Sequence, residues 1–283
     1  MPRVRVVTDS GCDIPAALLQ RLAINVVPFT VQVGERTYHD RVNITPDQFY
    51  RRLTTGRQQV TVSAPTSADF QSAYLGLART TNAIISVHSS SKLCDAYTAS
   101  LVAKNTLSNH ARIVTVDSQS ASLGLGFMVL AAAVAAQRGE TLDQIVTLVR
   151  GMVLQTHVSY ALETTEYMQR SPRFAKLCQA IGDTTDLRPL IQLEEGTFEI
   201  SEKVRTRAKA IERMYEFAEL FPHIEELGVL YSTTPADADG LVKRIDAVFP
   251  KEQVVVSQYG PVLGSILGPA ALGVAAYEGR GQQ

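Results

Sequence analysis

Along the first half of the chain, apolar and polar positions follow a recurring order: a short β-branched run, a polar turn, then a stretch with helical spacing. Val4-Arg5-Val6-Val7 ends in Thr8-Asp9-Ser10-Gly11, and Ile14-Pro15 opens a helix through Leu22. Ile24–Val33 reads as a second β run, closed by Gly34. Pro46–Leu53 and Ala68–Ala78 carry helical spacing, Ala83–Val87 predicts a strand, and a helix is expected from about Leu93 to Leu107. Ile113–Val116 predicts another strand, ending in Asp117-Ser118 and feeding an apolar helix, Leu123–Ala136. Strand, turn and helix repeated in this way indicate a parallel sheet with helices on both faces. Ligands in such sheets sit beyond the carboxyl ends of the strands.

The pattern changes near residue 155. Pro189–Leu193 and Phe198–Ile200 flank Glu195-Gly196 as a β-hairpin would. Ala208–Leu220 is amphipathic, Leu227–Tyr231 predicts a strand, Ala236–Phe249 a helix and Val254–Val256 a strand. The expected architecture is therefore α/β in two domains. Residues 1–155 form an N-terminal α/β domain, and residues 156–283 a smaller, mixed α/β C-terminal domain. Clefts between domains are favoured ligand sites.

A chain of 283 residues is long enough to bury a full core without staples. Lys and Arg number 27 against 28 Asp and Glu, a net charge of −1 without a basic block, which argues against a nucleic-acid binder. Cys12, Cys94 and Cys178 are odd in number and far apart, so no disulfide framework or zinc site is expected and the cytoplasm is the default compartment. The five histidines, His39, His88, His110, His157 and His223, include no HxxxH or HxH pair, so no metal site is expected. Met1-Pro2-Arg3 runs straight into the first strand, and no secretory signal is expected ahead of it. Leu123–Ala136 falls short of the ~20 residues a membrane span needs and reads instead as a helix buried on most sides.

Polar residues cluster at the strand ends. Thr8-Asp9-Ser10-Gly11 either caps a turn or holds a phosphate, and Asp117-Ser118 is similar. His88-Ser89-Ser90-Ser91 invites a nucleophile reading, but adjacent residues on a strand face opposite ways and no GxSxG elbow is present. Gly260–Pro269 is a glycine- and proline-punctuated apolar segment, either a tight core connection or a place of close backbone approach. Arg205-Thr206-Arg207 and Lys209 form either a cationic spot or a solvated helix face.

Taken together these residues resemble the DegV family of bacterial fatty-acid-binding proteins, which includes acyl-carrier subunits of fatty acid kinase. The resemblance rests on Val7-Thr8-Asp9-Ser10, Val26-Val27-Pro28-Phe29, Tyr38-His39-Asp40 with Ile44-Thr45, and Ser63-Ala64-Pro65-Thr66 with Phe70. It continues through Ser90-Ser91-Lys92-Leu93, Val116-Asp117-Ser118 with Gly124-Leu125-Gly126, Arg205 to Lys209, and Gly264 through Gly268-Pro269 to Leu272-Gly273. It implies a carrier, not an enzyme, with no catalytic residue, no metal and no cofactor beyond a long-chain fatty acid such as palmitate. The ligand would be enclosed between the domains and presented to a separate kinase subunit. It also implies ligand contacts at Thr61, Val62, Ser63, Ser90, Ser91, Cys94 and Ile266, with partner or phosphate contacts at Asp40, near the tunnel mouth, Arg173 and Arg205.

This chain departs from the family at the positions that hold the carboxylate. Val62, Cys94 and Ile266 stand where the family places Thr, Ser and His, and Ser171-Pro172-Arg173 keeps only the arginine of a Gly-Gly-Arg stretch. Val and Ile have no hydrogen-bonding capacity and a thiol has little. Tail binding is expected to survive this loss better than head recognition, because each buried methylene contributes ~0.8 kcal/mol. Ser63, Thr61, Ser90 or backbone N–H groups are candidates to take over the head. Two other readings are weighed: a regulatory or interaction protein that keeps the fold without the ligand, and an acyl or phosphoryl transferase using Asp9, Ser10 and Asp117. No transmembrane segment is expected, and transient contact with a membrane surface is left open.

Overall fold

The computed structural model describes residues 4–55, 59–107, 111–182 and 186–279; His110 and Met1-Pro2-Arg3 lie outside them. The first half runs β1 (Val4–Asp9), α1 (Ala16–Arg21), β2 (Asn25–Val27), β3 (Thr30–Val33), β4 (Arg36–His39), α2 (Pro46–Thr55) and β5 (Val60–Ser63). It continues with α3 (Ser67–Ala78), β6 (Ala83–His88), α4 (Ala96–Thr106), β7 (Arg112–Asp117), α5 (Leu123–Gln137) and α6 (Leu142–Met152). Strands β2, β1, β6 and β7 lie side by side in a parallel sheet. Its side chains alternate between two faces, as a strand's period of two requires. Val4, Val6, Ile85 and Val87 join α5 and α6 in one apolar cluster, while Val7, Ile84 and Ile113 pack with Phe70 and Tyr74 of α3 and Ala103 of α4 in another. Helices thus cover both faces.

The run predicted as one strand, Ile24–Val33, is two. Pro28 has no N–H to give a ladder, and the Phe29 N–H leaves it to donate to Ser10 Oγ at 3.1 Å. β2 therefore ends in the parallel sheet, and β3 begins a separate antiparallel sheet of order β4-β3-β5 in which β5 is an edge.

The second half consists of β8 (Thr156–Ala161), α7 (Glu166–Gln169), α8 (Ala175–Ile181), β9 (Arg188–Glu194), β10 (Thr197–Val204) and α9 (Arg207–Glu219). After these come β11 (Ile224–Tyr231), α10 (Pro235–Ile245), β12 (Val255–Gln258), α11 (Pro261–Leu267) and β13 (Leu272–Glu278). They build a mixed sheet of order β10-β9-β8-β13-β11-β12. The expected hairpin is β9–β10: Glu195 and Gly196 have φ of 47° and 84°, as a two-residue primed turn demands.

One face of the mixed sheet (Leu227, Val229, Val274, Ala276) packs on α9 and α10 through Met214, Phe217, Leu241 and Ile245. The other face (Val158, Tyr160, Leu230, Ala275) joins the cluster that holds α5. Helix α5 is therefore apolar nearly all round because it has a sheet on either side. The glycine-rich segment after β12 is a helix, not an irregular connection, with Pro261 in its first turn. It crosses back to the first half and lies against α2: a Cβ at Gly264 would stand 2.6 Å from Phe49 Cε1 and 2.7 Å from the Tyr50 hydroxyl.

Candidate functional site

Helix α11, the edge strand β5, the start of α4 and the loop after α7 enclose a cleft of about 920 Å³ at the junction of the two halves. That volume lies at the upper end of the ~300–1,000 Å³ usual for small-molecule sites. Its buried wall is apolar: Phe29, Leu93, Phe174 and Val262. Val62 and Ile266 add half-buried hydrocarbon. Thr61 and Ser63 flank Val62 on β5 as exposed residues, and Arg170 and Arg173 stand at the rim.

Of the residues singled out in the sequence, Thr61, Val62, Ser63, Cys94, Ile266 and Arg173 all line this one cleft, although they come from four separate segments. Cys94 shows part of its surface, but its sulfur is desolvated, and burial together with the charge of Asp9 pushes the thiol up to about 12. Arg173 spans the mouth: it donates to Asp95 Oδ1 at 2.9 Å and to the Ser91 carbonyl at 3.3 Å, both on the opposite side. Arg170 pairs with Glu166 at 2.6 Å and stacks 4.3 Å over the Tyr167 ring.

The side chains of the other four candidates do not line the cleft, although the Ser91 carbonyl meets Arg173 at its mouth. Ser90 is buried and its hydroxyl donates to the Gly196 carbonyl at 2.6 Å, so it docks the β9–β10 hairpin onto the first half. A Cβ at Gly196 would stand 2.6 Å from that same hydroxyl, which explains the glycine beyond its positive φ. Ser91 donates to Asp117 Oδ2 at 2.5 Å. Arg205 is exposed in the β10–α9 loop, and its carbonyl accepts from Arg188. Its neighbours Arg207 and Lys209 are held in ion pairs with Asp237 and Glu212. Asp40 is not at a mouth but almost fully enclosed, with 1% of its surface accessible.

Asp40 belongs to a buried seam where the two halves meet. Arg41 Nη2 donates to Asp13 Oδ1 at 2.8 Å and to the Gln258 carbonyl at 2.9 Å. Asp13 also accepts from Ser122 Oγ at 2.6 Å and from the Gly260 N–H at 2.8 Å, and its carbonyl takes the Ser257 hydroxyl at 2.5 Å. Neither carboxylate oxygen of Asp40 meets a donor at hydrogen-bond geometry. Burial pushes its pKa up to about 7, against the pull of Arg41 and the Ser10 hydroxyl, with Asp13 adding repulsion. Burial raises Asp13 as well, despite Arg41 and its hydrogen bonds. Burial alone would lower Arg41, yet the two carboxylates hold it above its ordinary value. This seam anchors the first residues of α11, the helix that carries Val262 and Ile266 into the cleft.

A second polar cluster, also enclosed, surrounds Asp9. Its carboxylate accepts from the Gly11 and Ser89 N–H groups, each at 3.0 Å, and from Ser89 Oγ at 2.8 Å. His88 Nδ1 lies 3.0 Å from it, and His88 Nε2 lies 2.6 Å from Ser86 Oγ, which receives the Tyr74 hydroxyl at 2.8 Å. The serine that meets His88 is thus Ser86, two residues back on the same face of β6, a partner the period-two rule could have found. Ser86 is wholly buried, so the chain Tyr74–Ser86–His88–Asp9 is an internal network tying sheet to helix. Asp9 caps the turn that follows β1, Ser10 holds the Phe29 amide and Asp117 holds Ser91 and the Gln119 amide. Among the described residues no group of three or more acidic, His or Cys side chains is placed to hold a metal, and no helix is long and apolar enough to cross a membrane.

A parallel and a mixed sheet sharing one central helix, with a cleft between the halves, define a two-sheet α/β protein. The DegV family model, described as "Uncharacterised protein, DegV family", matches residues 3–279, and the chain belongs to that family. A DegV domain-containing protein of Streptomyces coelicolor is 33% identical over 96% of this chain and 97% of its own length. Protein DegV of Bacillus subtilis is 26% identical over 96% and 98%. A solved DegV family protein of Thermus thermophilus, described by its fatty acid binding, superposes with a TM-score of 0.88 at 29% identity, covering 98% of this chain and 99% of that one.

Proposed function

We propose that this protein holds one long-chain fatty acid, or a related single-chain acyl lipid, in the cleft and presents it to a partner, a fatty acid kinase subunit, as a carrier and not a catalyst. The observation that carries the reading is the cleft itself: about 920 Å³, walled by Phe29, Leu93, Phe174 and Val262, and open where a plugged junction would have refuted it. The Thermus relative, similar along its whole length, supports the choice of ligand. Affinity then comes mainly from the tail, at ~0.8 kcal/mol for each methylene buried. Partner contact falls to Arg173 and Arg205, which are exposed, whereas Asp40 is too deeply enclosed to touch another molecule.

The apolar Val62 and Ile266 also support the alternative of a fold kept for regulation after the ligand was lost. Native mass spectrometry and lipid extraction of the purified protein separate the two. The carrier reading expects a single acyl species per chain; protein free of lipid, and still free after incubation with palmitate, refutes it.

A further inference from the structure

The cleft's charged and apolar groups are largely separated. Among the described residues its buried and half-buried wall is mainly hydrocarbon, with the Cys94 sulfur, the Tyr167 ring and the Ser265 hydroxyl, which already donates to the Val262 carbonyl at 3.1 Å. The Cys94 sulfur already takes the Ala96 N–H at the start of α4, and burial and the nearby charge of Asp9, which push its thiol up, also disfavour a carboxylate placed there. Among the described residues that line the cleft, the cationic side chains are Arg170 and Arg173 at the rim, which keep 49% and 35% of their side-chain surface in solvent. Their present partners, Glu166 and Asp95, are more exposed still, at 64% and 76%. Ion pairs so wet hold weakly, so a ligand anion can replace either carboxylate at little cost. The guanidinium forks suit carboxylate and phosphate alike.

We propose that the acyl ligand enters tail first and leaves its anionic head at the rim, between Arg170 and Arg173, with Thr61 and Ser63 beside it. This rests on the fatty-acid reading above and names the lipid class: single-chain lipids whose anionic head, carboxylate or phosphate, is large or small without penalty because it stays in water. Val62 and Ile266 then act as specificity-determining residues for tail-inward binding.

Three ligands test it on the intact chain: palmitate, hexadecanol and palmitoyl lysophosphatidic acid. The lysophospholipid is expected to compete for the cleft with an affinity within about three-fold of palmitate's. Arg170→Ala combined with Arg173→Ala is expected to weaken palmitate about five-fold and hexadecanol less than about two-fold, the range of exposed ion pairs. With spin-labelled stearic acids, a nitroxide near the tail end is expected to be immobilised and shielded from an aqueous relaxant, and one near the head accessible. Palmitate binding with exclusion of the lysophospholipid, or a shielded head with an accessible tail, overturns the orientation while leaving the carrier intact. Failure of both palmitate and hexadecanol to bind overturns the fatty-acid reading, and this proposal with it.

Discussion

Two of the polar regions that join the halves of this protein are built on opposite principles. At the seam behind α11, Asp13, with 1% of its side chain accessible, holds Arg41, which keeps 25%, and the Gly260 amide, while Arg41 also reaches the Gln258 carbonyl and Asp40 is enclosed beside them. At the mouth of the cleft, Arg173 reaches across to the Ser91 carbonyl and to Asp95, whose side chain is 76% exposed. The charges are similar and the distances nearly equal, 2.8 Å for Arg41–Asp13 and 2.9 Å for Arg173–Asp95. What differs is the medium. Removing one partner of a buried pair is costly because the other is left without it, whereas an exposed pair contributes about 1 kcal/mol at most. The cleft is therefore fastened firmly at the back and lightly at the front.

The largest test of this contrast is Asp13→Ala. It removes the acceptor for Arg41, Ser122 and the Gly260 amide at once and leaves a half-buried guanidinium without its carboxylate hydrogen bond, holding the Gln258 carbonyl. A loss of about 3–5 kcal/mol in urea unfolding is expected. A loss below about 1 kcal/mol would mean that the seam is not the fastening.

Asp40 gives the next. Its pKa in the folded state is about 7 against an ordinary 3.8. Between those values the folded protein holds more protons than the unfolded chain, so stability falls as pH rises across the window, by up to about 4 kcal/mol in all. Asp40→Asn is expected to flatten much of that slope and to be more stable than the parent above pH ~7 but not below pH ~4. Asp13, raised by burial as well, leaves a residual slope of the same sign. Chemical unfolding of parent and variant at a series of pH values measures it; parallel profiles would show that Asp40 does not titrate in this range.

Much of the fold was legible because its patterns are local. The alternation of β-branched runs and turns located β1, β6 and β7, and Glu195-Gly196 marked its hairpin. β4 was not legible: Arg36-Thr37-Tyr38-His39 is polar and largely exposed, so it carries no alternation to read. Nor was α11, because Pro261 and Gly264 look like breakers until the neighbours that need them, Phe49 and Tyr50, come from another part of the chain. The site divides in the same way. Thr61, Val62, Ser63 and Cys94 could be picked out from the sequence, but whether a polar residue faces the cleft or the core depends on partners far away in sequence. Ser90 belongs to Gly196, and Asp40 to the seam. Ser86 and Arg170 were passed over, the first because attention fell on the serines adjacent to His88, the second because a single arginine in a loop carries no pattern.

The smallest effect is the one that defines the mouth. Arg173→Ala deletes the Asp95 and Ser91 contacts, but both charged partners are well solvated, so a stability change below about 1 kcal/mol is expected, within about 2 °C in melting temperature for a chain of this size. The change belongs instead in local opening. Amide hydrogen exchange is expected to rise several-fold at Ser91–Asp95 and along β5, where few buried contacts resist opening, and to stay unchanged at Gly260 and the start of α11. Exchange that rises equally at both places, or a stability loss as large as that of Asp13→Ala, would show that front and back are one cooperative unit and that the cleft does not open at the mouth alone.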